Sequence, residues 1–109
     1  MAEHEEFSLR ITKANLRRIV SGEKKHEFRD SIEFYFRRFA TLKDGFWTLK
    51  KVDRLKLYVG NEQNCEYAVV KVSRLRHVVF EDKLIEEFKR GDTALCFDIE
   101  GVIETNVVL

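Results

Sequence analysis

Nine residues, Gly22 to Asp30, constrain this chain more than any others. Gly-Glu-Lys-Lys-His-Glu-Phe-Arg-Asp packs a glycine, two Lys, two Glu, a His, an Arg and an Asp directly behind a short amphipathic segment. A glycine in that place ends a helix in the left-handed region. A strand beginning at Lys25 then puts Lys25, Glu27 and Arg29 on one face and His26, Phe28 and Asp30 on the other. Lys24 sits at the mouth, just after the glycine. A carboxylate flanked by cations on one strand face is either a solvated salt-bridge ladder, which contributes little to stability, or a preorganised polar site.

The rest of the chain reads mainly as strands. Phe7, Leu9 and Ile11 alternate with Ser8 and Arg10, the pattern of a half-buried strand. Thr12 caps a helix whose stripe is Leu16, Ile19 and Val20, with Arg17 and Arg18 off that stripe. Residues 31–39 fit strand alternation (Ile32, Phe34, Phe36) and helical spacing (Ile32, Tyr35, Phe36, Phe39) equally well. Asp30 or Ser31 as a cap favours a short helix. A loop is expected at Lys43-Asp44-Gly45-Phe46-Trp47, where the two aromatics are either packing residues or, among Lys43, Lys50 and Lys51, platforms for bases. Leu55, Leu57 and Val59 form a strand ending at Gly60-Asn61, and Asn61 to Asn64 a turn. A long strand runs from Glu66 to about Val79, bent near Ser73. Glu81-Asp82 caps a short helix with Leu84, Ile85 and Phe88 inward, ended by Gly91-Asp92. A last strand, Ala94 to Ile99, is broken or bulged at Gly101 before Val102-Ile103. The expected class is α+β, mainly β: a small, closed, mixed barrel of about five or six strands with two or three short flanking helices.

At 109 residues the chain is read as one domain, 1–109, large enough to bury a core in which nine Phe take part. Cys65 and Cys96 have no ligand-like spacing, and with an acidic, polar start they read as reduced thiols of a cytoplasmic protein. His4, His26 and His77 are scattered, so no metal site is expected, nor any cofactor, and no apolar run approaches a membrane span. The net charge of +1 conceals an asymmetry: residues 10–56 carry fourteen Lys or Arg against six acids, and residues 57–109 six against ten. Such a split predicts a basic face able to meet an anion such as a nucleic-acid backbone.

The pattern Gly-x-Lys-x-x-Glu-x-Arg, met at Gly22, Lys24, Glu27 and Arg29 and entered through Leu16-Arg17-Arg18-Ile19-Val20-Ser21, resembles the signature of the ASCH domain family, the domain shared with the activating signal cointegrator. The following strands Leu55 to Gly60 and Tyr67 to Val72 resemble that family too, so the likeness covers most of the chain. It implies a small β-barrel related to the RNA-binding PUA domains, with the Lys, Glu and Arg in a cleft beside it. It also implies, for different members, RNA binding, RNA cleavage, or removal of the acetyl group from N4-acetylcytidine.

Three functions compete on this reading. In the first, a module for RNA, a nucleotide or a modified nucleoside, Lys24, Arg29, Arg17 and Arg18 contact phosphates. Glu27 accepts hydrogen bonds from a base amino group, and Tyr58 lies near the cleft wall. The second is a hydrolase on a modified nucleoside or on RNA, with Lys24 and Glu27 as catalytic candidates. The deacetylating branch carries Thr at the position matching Glu27, so this chain lacks a hydroxyl nucleophile there. Adjacent cations also lower a carboxylate's pKa and weaken it as a base, and alternation sends His26 to the opposite face. The third is a protein-interaction module using the Phe-rich stretch from Phe34 to Trp47.

Overall fold

The structure is a computed structural model that describes residues 6–81 and 91–109. Seven strands and two helices follow one another: β1 (Glu6–Arg10), α1 (Lys13–Val20), β2 (His26–Asp30), α2 (Glu33–Phe39), β3 (Ala40–Lys43), β4 (Phe46–Leu49), β5 (Arg54–Tyr58), β6 (Tyr67–Val79) and β7 (Thr93–Thr105). The class is α+β and mainly β, as the alternation predicts. The expected helix over Leu84, Ile85 and Phe88 falls outside the described residues.

Five strands form one mixed sheet in the order β1-β5-β6-β7-β2, parallel only between β1 and β5. The expected closure is corrected: the sheet curls into a half-barrel whose two edges, β1 and β2, are not laddered to each other. The chain crosses between those edges through α1. Thr12 caps this helix by accepting from the Asn15 N–H at 3.2 Å. Leu16 and Ile19 are buried against Leu55, Leu57, Val70 and Phe97, each side chain contributing about 1.5–3 kcal/mol by leaving water. Gly22, at φ 87°, stops the helix as its lack of a Cβ predicts.

The bends of the half-barrel sit in the long β6–β7 pair. Register shifts fall between Val69 and Val70, Lys71 and Val72, and Val72 and Arg74, opposite Gly101. The expected bend near Ser73 and the expected irregularity at Gly101 are thus one feature seen from two strands, with β7 continuing through it. Residues 33–39 are helical, but the capping expectation is corrected. The N-cap is Ile32, with no side-chain hydrogen bond, while the Ser31 hydroxyl stands 2.9 Å from His77 Nε2. A further correction concerns 43–47, where a loop was expected. β3 and β4 pair as a hairpin about Asp44-Gly45, both at positive φ (53° and 80°), as type I′ turns require. Asp-Gly between apolar runs is the signal that would have found it.

Candidate functional site

The signature residues meet where the two sheet edges face each other. Behind Gly22 the chain folds back, with the Lys24 N–H donating to the Arg18 carbonyl at 3.0 Å, and this carries Lys24 under the helix end. Glu27 and Arg29 lie opposite Phe97 and Leu95 of β7, both fully buried, so they point to the inner face of the curl. There β2 supplies charge where the neighbouring strand supplies apolar side chains. The Glu27 side chain is only 6% exposed, Arg29 15% and Lys24 19%.

Arg29 Nη2 donates to Glu27 Oε2 at 2.6 Å and to the Arg10 carbonyl at 2.8 Å. The second bond reaches from edge strand β2 to edge strand β1, so one guanidinium bridges the seam the sheet leaves open. Lys24 Nζ stands 3.0 Å from Glu27 Oε1, off the hydrogen-bonding direction, so that oxygen is ion-paired without accepting an aligned hydrogen bond. Arg29 Nε is also buried without a partner. Native interiors seldom leave such atoms idle.

These residues line a cleft of about 790 Å³ that runs along β2, whose outer edge has no strand partner among the described residues. Because the cleft follows an edge, residues of both strand faces line it: Glu27 and Arg29 of one, His26, Phe28 and Asp30 of the other. Arg10, Arg18, Lys24, Lys25 and Arg29 bring five cations to it, against Glu23, Glu27 and Asp30. Arg18 is tied to Glu23. Lys25 and the Arg10 guanidinium have no acidic partner among the described residues; the latter lies 6.0 Å from the Tyr58 ring. Tyr35 and Phe80 complete the apolar wall.

Lys24, Glu27, Arg29 and Arg18 are therefore brought together, while two further residues fall elsewhere. Arg17 points away from the cleft: it binds Glu66 at 2.8 Å and the Val108 carbonyl at 3.1 Å, tying the helix to the chain's last residues. Tyr58 pairs with Arg10 across β1 and β5 and stands behind it, outside the cleft lining. Sequence reasoning missed Arg10 and Tyr35, and placed Lys25 on the Glu27 face without giving it a contact to a ligand. Arg10 was read only as the outward residue of a strand, and no local signal says that two sheet edges will meet beside it. The hydroxyls of Ser21 and Ser31 are engaged with the Arg18 carbonyl and His77, away from the lining.

On the opposite face of β2, His26 belongs to a second polar group. Its Nδ1 is 2.8 Å from Asp98 Oδ1, and Arg76 holds Asp98 by two hydrogen bonds at 2.9 and 3.1 Å. Burial by itself raises the Asp98 pKa, but the hydrogen bonds from Arg76, His26 and Cys96 outweigh it and keep the carboxyl well below the usual carboxylate range. An ionised Asp98 only accepts, so Nδ1 carries the proton in that bond. Burial, reinforced by Asp98, pushes the Cys96 thiol up to about 12. His26, Cys96 and Asp98 bring potential ligand atoms within 4.8 Å of one another. A protonated thiol and a carboxylate committed to Arg76 make the group a clamp of β2 onto β6 and β7. Cys65 and Cys96 are both free, and among the described residues no helix is long and apolar enough to cross a membrane.

Comparison of the chain with protein-family models, with curated proteins and with solved structures finds no match.

Proposed function

We propose that this chain is an ASCH-like domain that binds RNA or a nucleotide in the cleft along β2. The observation that carries the reading is Glu27: a carboxylate buried between Lys24 and Arg29 at the base of a basic cleft, its Oε1 ion-paired to Lys24 and accepting no aligned hydrogen bond. In this reading a base amino group donates to Oε1, as cytosine's does to carboxylates. The Arg29 Nε–H serves a neighbouring acceptor on the same edge. Lys25, Arg10 and the rim of α1 at Arg18 meet the phosphates. Two free thiols suit the reducing cytoplasm expected for such a protein.

Binding of a single-stranded or structured RNA is expected to weaken steeply between two ionic strengths, because each phosphate neutralised by a cation releases a counterion. Titrations by fluorescence anisotropy at low and near-physiological salt measure this. An affinity indifferent to salt, or no binding at low salt, retires the reading.

The hydrolase reading gains less support. Among the described residues Thr12 is the lone Ser or Thr in the lining, and its Oγ1 caps α1. Purified protein given N4-acetylcytidine is therefore expected to show slow turnover or none, followed by chromatography of the released cytidine. Efficient turnover abolished by Lys24→Ala would establish the enzyme instead.

A further inference from the structure

The hairpin β3–β4 exposes apolar surface that its fold does not use. Cross-strand partners share a face, so Ala40, Leu42, Trp47 and Leu49 lie on one side and Thr41, Lys43, Phe46 and Thr48 on the other. The first side is buried at its base, where Ala40 and Leu49 meet the core, and open at its tip, where Leu42 is 56% and Trp47 48% exposed. On the second side Phe46 is 75% exposed directly opposite Lys43. A two-stranded hairpin is marginal on its own, and exposed aromatics at its tip are a cost that packing in this chain does not repay.

The surroundings say what suits these rings. Lys43 on the hairpin and Lys51 just after it have no acidic partner among the described residues. Lys43 stands directly opposite the exposed Phe46, a charge beside a flat apolar surface, the combination that holds single-stranded nucleic acid through stacking and backbone attraction. The rings also connect to the cleft. Trp47 touches Phe36 of α2, with centroids 5.8 Å apart, and the residue before Phe36 is Tyr35, which lines the cleft. Helix α2 thus presents one aromatic side chain to the cleft and the next to the hairpin.

We infer that the β3–β4 hairpin is a stacking platform for unpaired bases of an RNA strand whose neighbouring nucleotide occupies the cleft. This rests on the RNA reading of the cleft and adds the substrate's form: a single strand longer than one nucleotide. A base stacks on Trp47 or Phe46, and Lys43 and Lys51 meet the flanking phosphates.

Trp47 is the chain's single tryptophan, so its fluorescence reports on the platform without a label. The probes are oligocytidylate of roughly ten nucleotides, within the range of single-strand sites, and cytidine monophosphate. The oligonucleotide is expected to quench Trp47; the monophosphate is not. Phe46→Ala and Trp47→Leu, read by anisotropy of a labelled oligonucleotide, should each weaken oligonucleotide binding about tenfold and leave monophosphate binding unchanged. Lys24→Ala should weaken both. Wild-type oligonucleotide affinity in Phe46→Ala and Trp47→Leu overturns the platform and leaves the cleft reading standing. Undiminished quenching in Lys24→Ala keeps the platform and removes the cleft. If neither probe binds, both fall. Sedimentation showing a dimer that Trp47→Leu dissociates, with no quenching by oligonucleotide, assigns the surface to a second copy of this chain and overturns the platform.

Discussion

Arg29→Ala is expected to destabilise the fold by about 3–5 kcal/mol, the range for stranding a buried charge. For a domain of this size that lowers the Tm by more than about 10 °C. Arg29 Nη2 serves Glu27 Oε2 and the Arg10 carbonyl together, and the side chain is 15% exposed. Its loss leaves Glu27 buried with Lys24 alone and unties β1 from β2. Urea or thermal unfolding measures the change. The double variant Glu27→Leu/Arg29→Leu separates the two contributions. If the penalty comes from the stranded carboxylate, the double variant melts well above Arg29→Ala, because apolar replacements of a buried ion pair are often neutral. If it comes from the seam, both melt alike. A single variant that melts with the wild type removes Arg29 from the account of the fold.

Lys24→Ala is expected to behave in the opposite way. Its ammonium sits at the mouth, its contact with Glu27 Oε1 lacks hydrogen-bond alignment, and Arg29 continues to compensate Glu27. Water entering from the cleft can take its place, so the stability loss should be clearly smaller than that of Arg29→Ala. RNA or nucleotide affinity should fall at least about tenfold, equivalent to ~1.4 kcal/mol. A melting curve and a binding isotherm on the same sample test both halves. A protein that unfolds, with no measurable ligand in the wild type, would mean that the Lys-Glu-Arg group serves the fold alone. The contrast between these two variants separates the residue that joins the sheet edges from the residue placed for a ligand.

Local rules located the elements well because each rests on short-range chemistry. Alternation marked the strands at Phe7–Ile11, Leu55–Leu57 and Tyr67–Val79, and Gly22 stopped the helix where its positive φ places it. The pairing of Glu27 with Arg29 was legible for the same reason, since residues two apart on a strand share a face. The failures have local causes as well. At 31–39 the residue that caps α2 is Ile32, because the Ser31 hydroxyl meets a histidine 46 residues away. At 43–47 the Asp-Gly turn signal was present and was given too little weight against the aromatic cluster.

What sequence alone determined about this protein is its mainly-β character, its short α1, and the presence of Lys24, Glu27 and Arg29 around one turn and one strand face. What only the tertiary structure decided is that this strand is a sheet edge and that β1 comes to lie across from it. It also decided that Arg29 spans the gap, that Arg10 and Lys25 join the cleft, and that Arg17 and Tyr58 stay out of it. The reason is one of range. Periodicity and turn chemistry act over a few residues and leave a signature in the chain. Strand order and the curl of the sheet are set by burial of Leu16, Leu55, Leu57, Val70 and Phe97 against one another, contacts between residues far apart in sequence that no local pattern records.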